Sequence, residues 1–223
     1  MTSLYRHFLG HAAERTDRMA QVLILVFVAA MFWFGLFSPH AHLQLNFWAM
    51  MGIDTAILGG GALWLGRSEA AELYRFKPGY ILIGVASALL LYGVFWVGQH
   101  VAAAVLPFSP TQVQNIYATK AQAAPWLIGA LLLLWIGPAE EIFWRGLVQH
   151  RLMQRYGHWA GFAISTAVYA LIHIWAGNLM LIAAAAIAGA FWGLMFMRFR
   201  SVWPGLISHA LWDLLIFVVI PLK

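Results

Sequence analysis

Residues 126–153 read WLIGALLLLWIGPAEEIFWRGLVQHRLM. A helix needs about 20 apolar residues to cross a bilayer, and this run has the length and character. It also carries two adjacent carboxylates, Glu140 and Glu141, and a guanidinium, Arg145. Charges in hydrocarbon are costly, so each needs a reason. On a helix, Glu141 and Arg145 stand four apart and share a face, so they can pair. Glu140 points about 100° away. One glutamate is thus assigned to an ion pair while its neighbour faces elsewhere. A carboxylate with no cation partner is free to take a proton, as a general base must. The Gly137-Pro138 step inside the run is tolerated if a helix restarts at the proline, or if neighbours satisfy the freed carbonyls.

Working outward, six further apolar runs accompany this one, giving spans at roughly 19–38, 43–65, 79–105, 126–153, 159–175, 179–197 and 202–220. The second contains Gly59, Gly60, Gly61 and Asp54, and the fifth is short for a crossing. The chain therefore reads as an all-α, polytopic membrane helix bundle with about seven transmembrane helices. Residues 1–18 form a cytoplasmic or interfacial segment, with Leu4, Phe8 and Ala12 at helical spacing. Residues 19–223 form a single transmembrane domain whose polar core lies at 126–216. The first run is long and lacks an evident cleavage site, so it reads as a retained anchor and not a removed signal peptide. The stretch from about Pro107 to Pro125 reads as an outer loop or re-entrant element.

Composition agrees. The chain is 63% hydrophobic and 9% charged, against about 25% charged for soluble domains, so water is not its main solvent. Twelve tryptophans and fifteen phenylalanines suit lipid-facing belts. The net charge of +5 does not point to nucleic acid, because the basic residues sit in short loops between apolar runs. There is no cysteine, which excludes disulfides, thiolate nucleophiles and Cys-ligated metals. Arg6, Arg15 and Arg18 precede the first span. Arg67, Arg75 and Lys77 follow the second, Arg151 and Arg155 the fourth, Arg198 and Arg200 the sixth. The opposite loops hold Lys120, and the C-terminus Lys223. This alternation places the N-terminus in the cytoplasm and suits a bacterial inner membrane, with lipids as partners.

The remaining intramembrane polar groups cluster late in the chain. Tyr169 and His173 stand four apart, as do His209 and Asp213. Asp213 can thus orient the His209 imidazole and fix its tautomer. Glu140 and His173 each lie about 16 residues from the Tyr156–His158 turn, which makes them level in a helical hairpin. Asp54 reads as an interfacial or packing residue. Gly189 and Gly193 form a face that lets helices approach closely, and His100 and His158 read as ordinary hydrogen-bonding histidines.

Glu-Glu-x-x-x-Arg, aromatic-x-x-x-His and His-x-x-x-Asn/Asp, in this order over roughly 126–216, resemble the CPBP intramembrane peptidases. That family includes the type II CAAX prenyl endopeptidases and proteins of bacteriocin processing and immunity. The resemblance implies a helical bundle with a cavity open to one face. It implies that Glu140 activates water, that His173 holds the water or a metal, and that Glu141 and Arg145 support the site. His209 and Asp213 would stabilise the oxyanion or complete the site. Tyr169 stands where phenylalanine is usual and adds a hydroxyl. Asp213 stands where asparagine is commoner, and a carboxylate donates to an oxyanion only when protonated.

The expected activity is an intramembrane endopeptidase acting on a hydrophobic or lipid-modified peptide or protein terminus. Two versions stay open. In one, a divalent metal such as Zn2+ is held by His173, His209 and a carboxylate. In the other, Glu140 and His173 polarise the water directly. The chain lacks His-Glu-x-x-His, so metal is not compelled. A proton-coupled transporter and a non-enzymatic immunity or scaffolding protein are the rival classes. The sequence is silent on oligomeric state.

Overall fold

Asn46 accepts a hydrogen bond from the Ala49 amide, and Asn178 accepts one from the Leu181 amide. These two caps satisfy donors that a helix leaves open at its start and fix where two long helices begin. Pro110, Pro125 and Pro204 sit in the first turns of three others, where a missing N–H costs nothing. Helices end at Gly157 (φ 87°) and Gly177 (φ 56°), left-handed conformations that glycine adopts without strain.

The computed structural model describes residues 2–38 and 45–222, with side chains described from Arg18 onward. The surface reading of Leu4, Phe8 and Ala12, the charges Arg6 and Arg15, and Lys223 fall outside those described side chains. All regular structure among the described residues is helical. The main helices are α1 (Thr2–Phe37), α2 (Phe47–Leu65), α3 (Gly79–Val105), α4 (Ser109–Ala118), α5 (Pro125–Tyr156), α6 (His158–Ala176), α7 (Leu179–Phe199) and α8 (Trp203–Val219). Six are long and apolar enough to cross a membrane: α1 from Arg18, α2, α3, α5, α6 and α7. The shorter α8 is the seventh apolar helix. The chain is thus an integral membrane protein with the expected all-α polytopic architecture, and its helices follow the seven apolar runs in order. The short fifth run gains length from a 3-10 turn at Ile172–Ala176.

The interior of α5 departs from regular geometry. It widens to a π-helix at Leu132–Ile136, returns to α at Gly137–Glu141, and widens again at Ile142–Gln149. Pro138 falls in the first turn of the restarted α segment. The wide turn before it accommodates the carbonyl that a mid-helix proline would strip of its partner. Glu140 and Glu141 therefore lie on a single α-turn between two wide ones.

Small residues bring neighbours close. Gly59 of α2 faces Ala139, and Gly137 lies against the Ala210 backbone of α8. Gly84 of α3 leaves room for Ile207, Gly189 of α7 for Tyr169, and Gly161 of α6 for the Met153 backbone. A core of Trp33, Trp48, Phe143, Trp144 and Tyr169 runs through this contact zone.

The two ends of the bundle differ. At one end, Arg151 donates to Glu69 at 2.7 and 3.0 Å and to the Leu65 carbonyl at 3.2 Å. Burial pushes the Glu69 carboxyl up, but the Ser68 hydroxyl and Arg151 outweigh it and hold it below its usual range. Trp203 Nε1 donates to the Tyr74 carbonyl, and Ser201 and the Val202 amide donate to Leu73. Burial pushes the Tyr74 hydroxyl up to about 12, so it stays protonated. At the other end, α4 and the turn after it lie across the helix ends. Trp48 Nε1 donates to the Thr119 carbonyl, Asn178 to the Gln112 carbonyl, and Tyr117 to the Ile216 carbonyl. The stretch read as an outer loop or re-entrant element is this cap.

Candidate active site

The spacing of Glu141 and Arg145 places them together, and they form an ion pair of 2.8 Å with both side chains buried. Arg145 Nη2 also donates to the Gly189 carbonyl at 3.1 Å. Its guanidinium lies over the rings of Tyr169 and Trp192, a favourable seat for a desolvated cation. Glu141 has a second partner that no local spacing announces. His209 Nδ1 donates to Glu141 Oε1 at 3.0 Å. The imidazole stacks on Trp192, with ring centroids 3.7 Å apart and planes 19° from parallel. Trp192 is itself fixed by a hydrogen bond to Ser208. Glu141 Oε2 occupies space that any side chain at Gly205 would enter, 2.6 Å from an added Cβ.

Asp213 faces the other ring nitrogen of His209 across 3.5 Å. The expectation that Asp213 orients this imidazole is met only loosely, because the tight hold comes from Glu141. A donor–acceptor distance of 3.5 Å is beyond an ordinary hydrogen bond, so the Nε2 edge stays available to a third group.

Glu140 faces the other way, as its register requires. It lines a cavity of about 220 Å³ together with His209 and Asp213. The Tyr169 hydroxyl donates to Glu140 Oε2 at 3.0 Å, leaving Oε1 without a hydrogen-bond partner among the described residues. Aromatic and aliphatic walls rise from this polar floor: Trp33, Phe37, Trp48, Ile136 and Phe217. Asn115, Thr119 and Asn178 line the cavity where the α4 cap and the α6–α7 connection border it.

His173 is set one step back. It is buried at 4% exposure and is not among the residues lining the cavity. Its Nδ1 donates to the Tyr169 carbonyl at 2.8 Å, and its ring packs against Trp33 with centroids 3.9 Å apart. In this tautomer Nε2 carries the lone pair, with no partner among the described residues.

Residues 122–215 match the family model described as Type II CAAX prenyl endopeptidase Rce1-like. That segment is similar to the Rce1-like endopeptidases. The match agrees with the CPBP resemblance over that segment. No curated protein and no solved structure gives a significant match to the chain. The Rce1-like segment supplies the polar floor and the Glu141–Arg145–His209 cluster. Helices α1 and α2, outside it, supply the walls Trp33, Phe37, Trp48 and Met51.

The expected metal site needs a converging donor set. No three histidine, aspartate or glutamate side chains among the described residues converge as ligands of one ion. His209 Nδ1 donates to Glu141 and His173 Nδ1 to a backbone carbonyl, which leaves Nε2 as the edge through which either ring could reach a ligand.

Asp54, read as an interfacial or packing residue, is fully buried at 1% exposure, and its Oδ1 has no hydrogen-bond partner among the described residues. His100 is an exposed histidine bonded to the Trp96 carbonyl.

Proposed function

We propose that the chain hydrolyses a peptide bond of an apolar membrane peptide or protein terminus, with Glu140 as the general base. One observation carries this reading: of two adjacent glutamates, one is locked into a buried ion pair and the other borders a cavity. Glu140 takes a proton from a water held at its free oxygen, and the resulting hydroxide attacks the substrate carbonyl carbon. The Tyr169 hydroxyl holds the carboxylate at the correct angle. His209, its Nδ1 held by Glu141, turns its Nε2 edge to the developing oxyanion and donates to it as an imidazolium, the kind of stabilisation that is the largest single contribution in many hydrolases. Glu140 then returns its proton to the amine as the C–N bond breaks. His173 stiffens Tyr169 through the backbone and supports the Trp33 wall, so it acts as a positioning residue. The aromatic walls favour a hydrophobic or lipid-modified substrate.

Purified protein and a fluorogenic library of apolar peptides test this. Glu140→Gln is expected to lose activity by at least about a hundredfold, a typical general-base contribution, while keeping its melting temperature. Turnover equal to that of the unaltered chain rejects the assignment.

A further inference from the structure

The cations of the described residues are distributed unevenly. The α2–α3 connection holds Arg67, Arg75 and Lys77, and the final turns of α5 and α7 hold Arg151, Arg155 and Arg198. These connections share one end of the bundle with Arg18 and Arg200. The other end has Lys120. The cavity belongs to that second end. It is bordered by Asn115, Ile116 and Thr119 of the cap and by Ala176 and Asn178 of the α6–α7 connection. None of its lining residues comes from the connections at the basic end, and none is a lysine or arginine.

We infer that the mouth of the site opens on the extracytoplasmic face, and that its substrate is an uncharged apolar segment presented there. Loops rich in lysine and arginine stay in the cytoplasm, which puts the cap and the cavity mouth on the far side. A chain end reaching the floor from that side passes neutral amides at Asn115 and Asn178 and then aromatic walls. Among the described residues that line the cavity, no lysine or arginine stands ready to seat a free carboxylate before the acidic floor. The substrate class is therefore the apolar segment of an exported or membrane-anchored chain. The position of the mouth stands apart from the peptidase reading, on which the substrate class rests.

The absence of cysteine makes the test direct. Ala71 and Ala121 are exposed and uncharged, one on each end. Ala121→Cys and Ala71→Cys are each produced in a bacterial host and treated, as spheroplasts, with a membrane-impermeant maleimide. Labelling of Ala121→Cys in intact spheroplasts, with Ala71→Cys labelled only after permeabilisation, is expected. The reverse pattern overturns the inference. In sealed right-side-out vesicles, apolar peptides with charged flanks that prevent crossing are expected to be cleaved when added outside. Cleavage that appears only after permeabilisation overturns the substrate class. No cleavage in either condition, with Ala121→Cys labelled from outside, rejects the peptidase reading and its substrate, while the position of the mouth is upheld.

Discussion

The hydroxyl of Tyr169 is the smallest feature on which the site depends. Sequence reading registers it only as an addition where phenylalanine is usual. In three dimensions it is the donor to Glu140 at 3.0 Å. Tyr169→Phe removes the donor that orients Glu140 and should lower kcat/KM roughly 10- to 100-fold, with a stability loss of no more than about 1.5–3 kcal/mol. Measured kinetics and thermal unfolding of the two proteins check this split. Arg145 belongs to a different class. Arg145→Met leaves Glu141 as a buried, half-compensated charge and should destabilise the protein by about 3–5 kcal/mol. Pairing it with Glu141→Gln should recover part of that loss, as measured by thermal unfolding in detergent. The pairing of Glu141, and not Glu140, with Arg145 was legible, because a spacing of four sets which glutamate meets the guanidinium. The bond from His209 to Glu141 spans 68 residues, and no local pattern encodes it. His173 is the converse case. Its spacing to Tyr169 was legible, but the Trp33 ring that separates it from the cavity comes from a helix carrying no motif.

The helices themselves were legible because apolar runs of membrane length admit few other structures. The wide turns of α5 were not. A single inserted residue leaves hydropathy unchanged and only rotates the rest of the helix. The glycine face of α7 was read as packing, and it is packing with a specific occupant. An added Cβ at Gly189 would lie 2.8 Å from the Tyr169 ring, while the Gly189 carbonyl accepts from Arg145. Gly189→Ala should therefore reduce activity beyond what its stability loss explains, because it shifts the ring that holds Glu140. The check is activity measured well below the melting temperature of the variant. Gly161→Ala has no flexible neighbour to displace, since the Met153 backbone stands in the way. Such overpacking costs about 1–3 kcal/mol or more, and thermal unfolding in detergent is expected to show it.

At the scale of the whole molecule, the Glu69–Arg151 contact joins the α2–α3 connection to α5. The folded-state carboxyl lies below its ordinary value of 4.5. A depressed carboxyl contributes stability that is full above the unfolded value and is lost as pH falls through the folded one. The unaltered chain should thus exceed Glu69→Gln in melting temperature at neutral pH, and the gap should close below about pH 4.5. Parallel thermal scans across that range decide it.

The cavity has a polar floor and neutral amides at its border, separated by walls of Trp33, Phe37, Trp48 and Phe217. A greasy throat between two wettable rims tends to empty in an all-or-none manner. On the proposed reading, hydration of Glu140 is then intermittent, and hydrolysis, which consumes a molecule of solvent each cycle, inherits that rhythm. Large excluded osmolytes, by lowering the chemical potential of bulk solvent, should slow turnover steeply without altering how tightly a peptide is held.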